Sequence, residues 1–501
     1  MALSTATLRR ATDYLSEAVL YAMIIFSPWA FGSTQTWSVQ CMNTAGYVSG
    51  VLWLARVLLR RHSNSEAPAT ERLRGASHRV FTRLLATLTV LILAYTFLSA
   101  WNARLKFEGS GGIRLATYLE SISWLPSSYD QAYTWAAFQI YLALACVFWS
   151  TRDWLLNGGP RSHPEALSAD RSERAFDRLD HPPSELPPHW RRLLWLLCLN
   201  GGILALEGIL QRMSGTSKLL WMVTPHINSM AEAQFGPYAY RSNAATYFNL
   251  LWPLCIAFWW IQRAPPTRGR FRARRVGGSA HTMLLPLAVL MAAAPVISIS
   301  RGGTLICGIL ILGMLAMIWV GERSGSWARK LGMTAIVGAA VGLSFTLAWR
   351  PLADRFRSVF DESMSGRAEI YANTRPIAED FKWFGTGPGS FAGVYNYYRT
   401  DKRMVWQAYG HDDWLETRVT FGRVGMALVL GALALVPLIA ASSSSVAVPR
   451  GLAGALGLSM FGFLLHAKYD FPLQVHSLLF LFVVECALFS SMGLTRRRPA
   501  R

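Results

Sequence analysis

Four residues of this chain combine chemical capacity with a telling position: Arg241, Arg301, Arg367 and His411. Each arginine falls at or just beyond the end of an apolar segment. A guanidinium at the edge of a hydrocarbon layer is costly unless it snorkels to water or finds a partner. Its donors form a planar fork that suits phosphate oxygens. Anchoring to lipid headgroups is the competing role, and it weighs most for Arg241. Arg301 is followed by Gly302-Gly303, where backbone can approach a ligand closely. Arg367 follows Ser365-Gly366 and opens a helix-like run with Ile370, Ile377 and Phe381 as a sparse apolar stripe. Pro376 is expected to kink or split that helix.

His411 is preceded by Gly410 and followed by Asp412 and Asp413. An imidazole titrates near neutrality, so a histidine set over a hydroxyl can act as a general base, with Asp412 or Asp413 to orient it. The three residues could instead hold a divalent cation, but neighbouring side chains rarely converge on one ion. A hydrogen-bonded loop histidine is the third reading. Trp414 and Glu416 would pack the loop onto the next helix start. Gly385 to Phe391 is glycine-rich but lacks the lysine and hydroxyl ending of a phosphate-binding loop. It reads as a tight turn that brings Phe391 down onto the membrane surface.

These residues need a scaffold, and the composition says which kind. The chain has 501 residues, 52% hydrophobic and only 16% charged, which points to many membrane spans. The net charge of +20 does not imply nucleic acid, because the basic residues cluster in short loops between apolar segments. Taking about 20 apolar residues per span gives about twelve. They run near 15–33, 38–59, 84–101, 131–150, 193–210, 244–262, 282–299, 304–320, 331–349, 424–441, 449–466 and 474–493. The first reads as an uncleaved span. The loops Arg56 to Arg83, Arg263 to Arg275 and the tail Arg496 to Arg498 are the basic ones and are expected inside, with both termini. The polar, proline-bearing segment 152–192 reads as a flexible cytoplasmic loop. The stretch 350–423 is the large outside loop that carries the site. The expected fold is all-α, a single polytopic helical bundle over residues 1–501.

Other polar residues inside or beside spans are Glu207, near an outer end and in reach of water, and Glu485, deeper and without an evident role. Lys468 and Asp470 are expected to pair with each other. Cys41, Cys146, Cys198, Cys255, Cys307 and Cys486 show no metal-ligand spacing and read as small core residues.

Five stretches in order carry a resemblance: 235–253 (FGPYAYRSNAATYFNLLWP), 298–303 (SISRGG), 365–391 (SGRAEIYANTRPIAEDFKWFGTGPGSF), 409–425 (YGHDDWLETRVTFGRVG) and 466–476 (HAKYDFPLQVH). Together they resemble the O-antigen ligase and polymerase superfamily of bacterial inner-membrane glycosyltransferases. The resemblance implies a bundle of about twelve helices similar to lipid-dependent glycosyltransferases. It implies an undecaprenyl-diphosphate-linked glycan as donor, a glycan, lipid or protein acceptor, and transfer at the periplasmic face. It also implies an inverting reaction with no cofactor and no metal. It assigns the donor pyrophosphate to Arg301 and Arg367, with Arg241 beside them, and the acceptor hydroxyl to His411. Fixed cations would stabilise the charge that grows on the leaving pyrophosphate. The chain departs from the family twice. Asp412 stands where asparagine is usual, which either raises the histidine's pKa or suits another acceptor. Pro376 comes earlier than the family's usual proline.

A transporter or flippase of lipid-linked sugars is the rival reading. It calls for polar residues deep in several spans and an inverted repeat, and the sequence offers few of the first and none of the second. A membrane receptor ranks lower. Ligase and polymerase remain unseparated, because both pass the same donor to a hydroxyl.

Overall fold

The computed structural model describes residues 5–62, 75–108, 115–157, 186–263, 280–321, 364–400, 407–443 and 448–493, with isolated positions between 327 and 342. The ninth expected span, most of the 152–192 loop, and the basic tail lie outside the described residues. Among those described there are thirteen α-helices. They are α1 Thr5–Trp29, α2 Thr36–His62, α3 Ala76–Trp101, α4 Gln131–Asn157, α5 Pro188–Ser214, α6 Arg241–Arg263, α7 Leu284–Ile297, α8 Arg301–Gly321, α9 Met364–Asp380, α10 Phe391–Tyr398, α11 Asp413–Ser442, α12 Arg450–His466 and α13 His476–Ser491. The fold is all-α and polytopic in pattern. Eleven helices coincide with expected spans. Seven segments are long and apolar enough to cross a membrane on their own. Of the other helices that coincide with expected spans, α12 and α13 are shorter, at 17 and 16 residues.

The sequence dictates many of the helix ends. α5 starts at Pro188, whose missing N–H costs nothing at a helix start, and stops at Gly215 in the left-handed conformation. Ser300 begins α8: its hydroxyl accepts the Gly303 N–H at 3.1 Å. Asp412 begins α11 in the same way, accepting the Leu415 N–H at 3.1 Å. Two helices that neighbour the candidate residues thus start at side-chain caps that the sequence supplies.

α6 sits at the centre, with 89% of its apolar window buried inside the protein. It packs against α7, α8 and α12. Gly303 lets α8 close on α6, because a Cβ there would lie 2.3 Å from the Ala245 Cβ. Conversely, Val51, Leu54 and Leu58 of α2 and Leu312 and Val320 of α8 are exposed. Such stripes suit a hydrocarbon solvent rather than water. At one end of the bundle Arg56 of α2 reaches Asp13 of α1 and Asp153 of α4, both at 3.7 Å, and Arg60 reaches Asp153 at 2.5 Å. The candidate residues all lie at the opposite end.

The structure departs from or adds to the sequence reading at several points. Residues 102–130 hold a β-hairpin, β1 Leu105–Glu108 paired antiparallel with β2 Leu115–Tyr118. The alternating residues around Gly109 to Gly112 were its signal. Within the 350–423 stretch, residues 364–400 and 407–421 form a folded cap with its own core of Ile377, Phe391, Val394, Tyr395 and Val419. Phe391 belongs to that core and is 1% exposed, so it faces the cap and not the membrane surface. The turn before it forms as expected, with positive φ at Gly385, Gly387 and Gly389. Pro376 lies inside α9, which runs unbroken from Met364 to Asp380, so of the expected kink or split the split does not occur. Glu207 has both carboxylate oxygens buried without a hydrogen-bond partner, beside Gly236, rather than in reach of water.

α11 breaks at Gly422, where φ is 63° and ψ is −166°. The apolar part beyond the break matches the expected span from residue 424. The part before it, residues 413–421, belongs to the cap. Gly385 touches this break, since a Cβ there would sit 2.5 Å from the Gly422 nitrogen.

The α6–α8 contact predicts a paired outcome. Gly303→Ala should lower the thermal midpoint in detergent, by about 1–3 kcal/mol of overpacking. Gly308→Ala on the same helix meets nothing within 4 Å and should be neutral or stabilising.

Candidate active site

The site grows from one carboxylate, Asp470, in the turn between α12 and α13. It is 4% exposed. Its Oδ1 accepts from His411 Nδ1 at 3.2 Å and from the Phe471 N–H at 3.2 Å. Its Oδ2 accepts from the Ser242 hydroxyl at 2.5 Å and the Tyr240 hydroxyl at 3.2 Å. The Arg367 guanidinium stands 4.0 Å from the same oxygen. Burial opposes its charge. The hydrogen bond from His411 and the charges of His411, His466 and Arg367 outweigh that and bring its pKa down to about 2. Tyr240 shifts the other way, first by burial and then by the neighbouring Asp470 charge.

His411 was expected to lean on Asp412 or Asp413. Neither does so. Asp412 caps α11 and pairs with Lys468 at 2.5 Å. Asp413 accepts from the Leu473 N–H at 2.7 Å and from Gln474 Nε2 at 3.1 Å. The expected Lys468–Asp470 pair is therefore exchanged: Lys468 takes Asp412, and Asp470 takes His411. The reason is geometric. Residues 411–413 turn into a helix, which sends successive side chains in different directions, and the α12–α13 turn docks against all of them. The docking is fastened by the Asp413 N–H donating to the Ala467 carbonyl at 2.8 Å.

His411 itself has φ of 52°, a left-handed conformation costly for a non-glycine residue. The surrounding bonds hold it there. The Gly410 N–H donates to Glu416 Oε2 at 2.7 Å, and the His411 carbonyl accepts from the Tyr371 hydroxyl at 2.8 Å. Its ring meets the Phe471 ring edge-on at 4.9 Å. Phe471 is sandwiched between Tyr409 and Tyr240, with ring centroids 4.3 and 5.3 Å away. In the neutral ring, a carboxylate at Nδ1 favours the proton on that nitrogen and leaves Nε2 to accept one.

The three arginines lie on three different helices, and Arg367 is the one placed against this pair. Arg367, on α9, also donates to the Tyr469 carbonyl at 2.9 Å. Arg301 is the first residue of α8. The next residue, Gly302, lies against His466, since a Cβ there would be 3.0 Å from His466 Nε2. Arg241 is the first residue of α6 and donates to the Glu232 carbonyl at 2.6 Å, tying down the preceding loop. The starts of α6, α8 and α11 thus converge on one region with three arginines, and helix starts favour anions.

Ser242, Thr246 and His466 escaped the sequence reading. His466 lies 2.8 Å from the Thr246 hydroxyl and 3.3 Å from that of Ser242, and so links α12 to α6. All three lie in quoted stretches as polar residues near span ends. That was their only signal.

Residues 286–430 match the family model for O-antigen ligase. No match was found among curated proteins. The matched segment holds Arg301, Arg367 and His411. Asp470 and Arg241 lie outside it, so the carboxylate that orients His411 comes from beyond the matched segment. Seven helices among the described residues are long and apolar enough to cross a membrane, and residues 286–430 are similar to the O-antigen ligase family.

The depressed pKa of Asp470 has a definite sign. Its contribution to stability is complete above the ordinary value of 3.8 and is lost as pH falls through about 2. Wild-type protein should therefore melt higher than Asp470→Asn at neutral pH, and the gap should narrow between those two pH values. Thermal unfolding across that range checks it. A gap that stays constant would contradict the charged pairing.

Proposed function

We propose that the chain is a membrane glycosyltransferase that moves a glycan from a polyprenyl-diphosphate carrier to an acceptor hydroxyl at the periplasmic face. One observation carries this reading: a His411–Asp470 pair with the Arg367 guanidinium 4.0 Å from the same carboxylate. The acceptor hydroxyl approaches Nε2. As the acceptor oxygen bonds to the sugar's anomeric carbon, its proton passes to His411, and Asp470 stabilises the resulting imidazolium. The bond from that carbon to the diphosphate breaks on the opposite side, which inverts the configuration. The diphosphate leaves with the electron pair, and Arg301 and Arg367 stabilise the growing charge, with Arg241 alongside.

The donor as undecaprenyl diphosphate, the inner-membrane location and the cytoplasmic termini belong to the same proposal. The pattern of basic loops and the match to the ligase family support them. Among the described residues, the side chains that meet in the cluster suffice for acid–base and electrostatic work.

The variants divide the roles. His411→Ala should reduce transfer by about 10²–10⁴-fold with normal expression. Arg301→Lys and Arg367→Lys should each retain more activity than the alanine variants, because lysine keeps the charge but loses the bidentate fork. Near-wild-type product from His411→Ala would remove the proposed base. In a host lacking the protein, mass analysis of the lipid-linked pool separates the two activities: single repeat units accumulate for a polymerase and long carrier-bound chains for a ligase.

A further inference from the structure

Asp470 is reached from two sides, and the proposed transfer uses only one of them. His411 meets Oδ1. At Oδ2 a second run of side chains ends, and it leads to another histidine. Ser242 Oγ lies 2.5 Å from Oδ2, His466 Nε2 lies 3.3 Å from Ser242 Oγ, and His466 Nδ1 lies 2.8 Å from the Thr246 hydroxyl. Ser242 and Thr246 stand one turn apart on α6, and His466 ends α12. All three are buried. The start of α8 leaves room for the ring and little more, since a Cβ at Gly302 would press on Nε2.

The available protons fix the direction of this chain. Ser242 has one, and a buried carboxylate is its stronger acceptor. The serine oxygen therefore meets His466 as an acceptor, so Nε2 carries the proton between them. In the neutral ring, Nδ1 then accepts from Thr246. The Thr246 hydroxyl also lies 2.9 Å from the Ser242 carbonyl, and turning towards it would suit a ring with both nitrogens protonated. Nε2 donates to Ser242 in either state. The donors thus run one way, from His466 through Ser242 to Asp470, and each bond polarises the next.

We infer that Ser242 and His466 are positioning residues for the transfer: they hold Oδ2 of Asp470 and so aim Oδ1 at the ring that takes the acceptor's proton. They act through Asp470. The inference rests on the transferase reading and adds two residues to it. Breaking the chain has two effects. Oδ1 is aimed less well, which lowers kcat. A carboxylate with one donor fewer also holds a proton on His411 more tightly. The base must be neutral to act, so the acidic limb of the pH profile moves to higher pH. Other charged groups face this carboxylate or its neighbours: Arg367 from α9, Asp413 and Glu416 from α11, and Asp412 paired with Lys468. Tyr240, with Arg241 beside it, and Tyr371 add titratable hydroxyls. The variants below leave all of these in place.

The test uses full-length protein in proteoliposomes. The lipid extract of a host lacking the protein supplies donor and acceptor together, and its amount is varied to separate kcat from KM. Ser242→Ala and His466→Phe should each lower kcat by about 10- to 100-fold, with KM changed by less than about twofold. Both should move the acidic limb to higher pH. His466→Gln, whose amide can donate from the place of Nε2, should keep more activity than His466→Phe and a limb nearer the wild-type one. Elution as a single species shows that each variant is folded. Ser242→Ala removes one oxygen and carries the test alone if His466→Phe does not fold. Wild-type kcat and an unmoved limb in both variants overturn the inference. A fall in kcat that leaves the limb in place and is equal for His466→Gln and His466→Phe is a packing effect, and it also overturns the inference. Either result leaves the transferase reading standing. That reading falls instead if His411→Ala transfers as the wild type does.

Discussion

A buried negative charge organises the active end of this protein. Asp470 sits in a short turn, almost fully enclosed, and a carboxylate there is tolerable only if its oxygens are satisfied. His411, Ser242, Tyr240 and the Phe471 N–H supply hydrogen bonds, and Arg367 supplies charge. These partners come from the cap, from the start of α6 and from α9. One desolvated group therefore fixes the relative positions of three parts of the chain that are far apart in sequence. The strained backbone of His411 is held at the same junction, with Glu416 and Tyr371 bonding on either side of it.

The bundle and the cap divide the work. The bundle satisfies its backbone within helices and packs closely where small residues allow, as at Gly303 against Ala245. The cap has a small core of its own and is joined to the bundle at two glycine breaks, Gly385 and Gly422, which touch each other. The Tyr95 hydroxyl of α3 strengthens the join by donating to the Phe421 carbonyl at 2.9 Å. A rigid join suits a site whose parts come from both bodies.

Much of this was legible in the residues themselves. Hydrophobic runs of span length and basic loops depend on local chemistry, and the helices follow them. The arginines and His411 stood out because a charged or titratable group beside hydrocarbon needs a reason. The β-hairpin at residues 105–118 was readable from alternation and glycines, but it was hidden by the length of the apolar segments around it. Phe391 was misplaced because an aromatic residue after a turn suits a membrane surface and a small core equally well.

The sequence by itself determined that this is an all-α chain of many apolar helices with a large polar segment before the last spans, and it singled out Arg241, Arg301, Arg367 and His411 as the side chains with chemical capacity. Those properties reside in single residues and short periods. Only the tertiary structure decided how the carboxylates are shared. Asp412, Asp413 and Glu416 all lie within five positions of His411, yet each is used by the backbone, by Lys468 or by Gln474, and the histidine takes Asp470 instead. A hydrogen bond depends on direction and distance within a few tenths of an ångström. Neighbours on a helix start diverge, while a turn many residues away can be brought into line by packing.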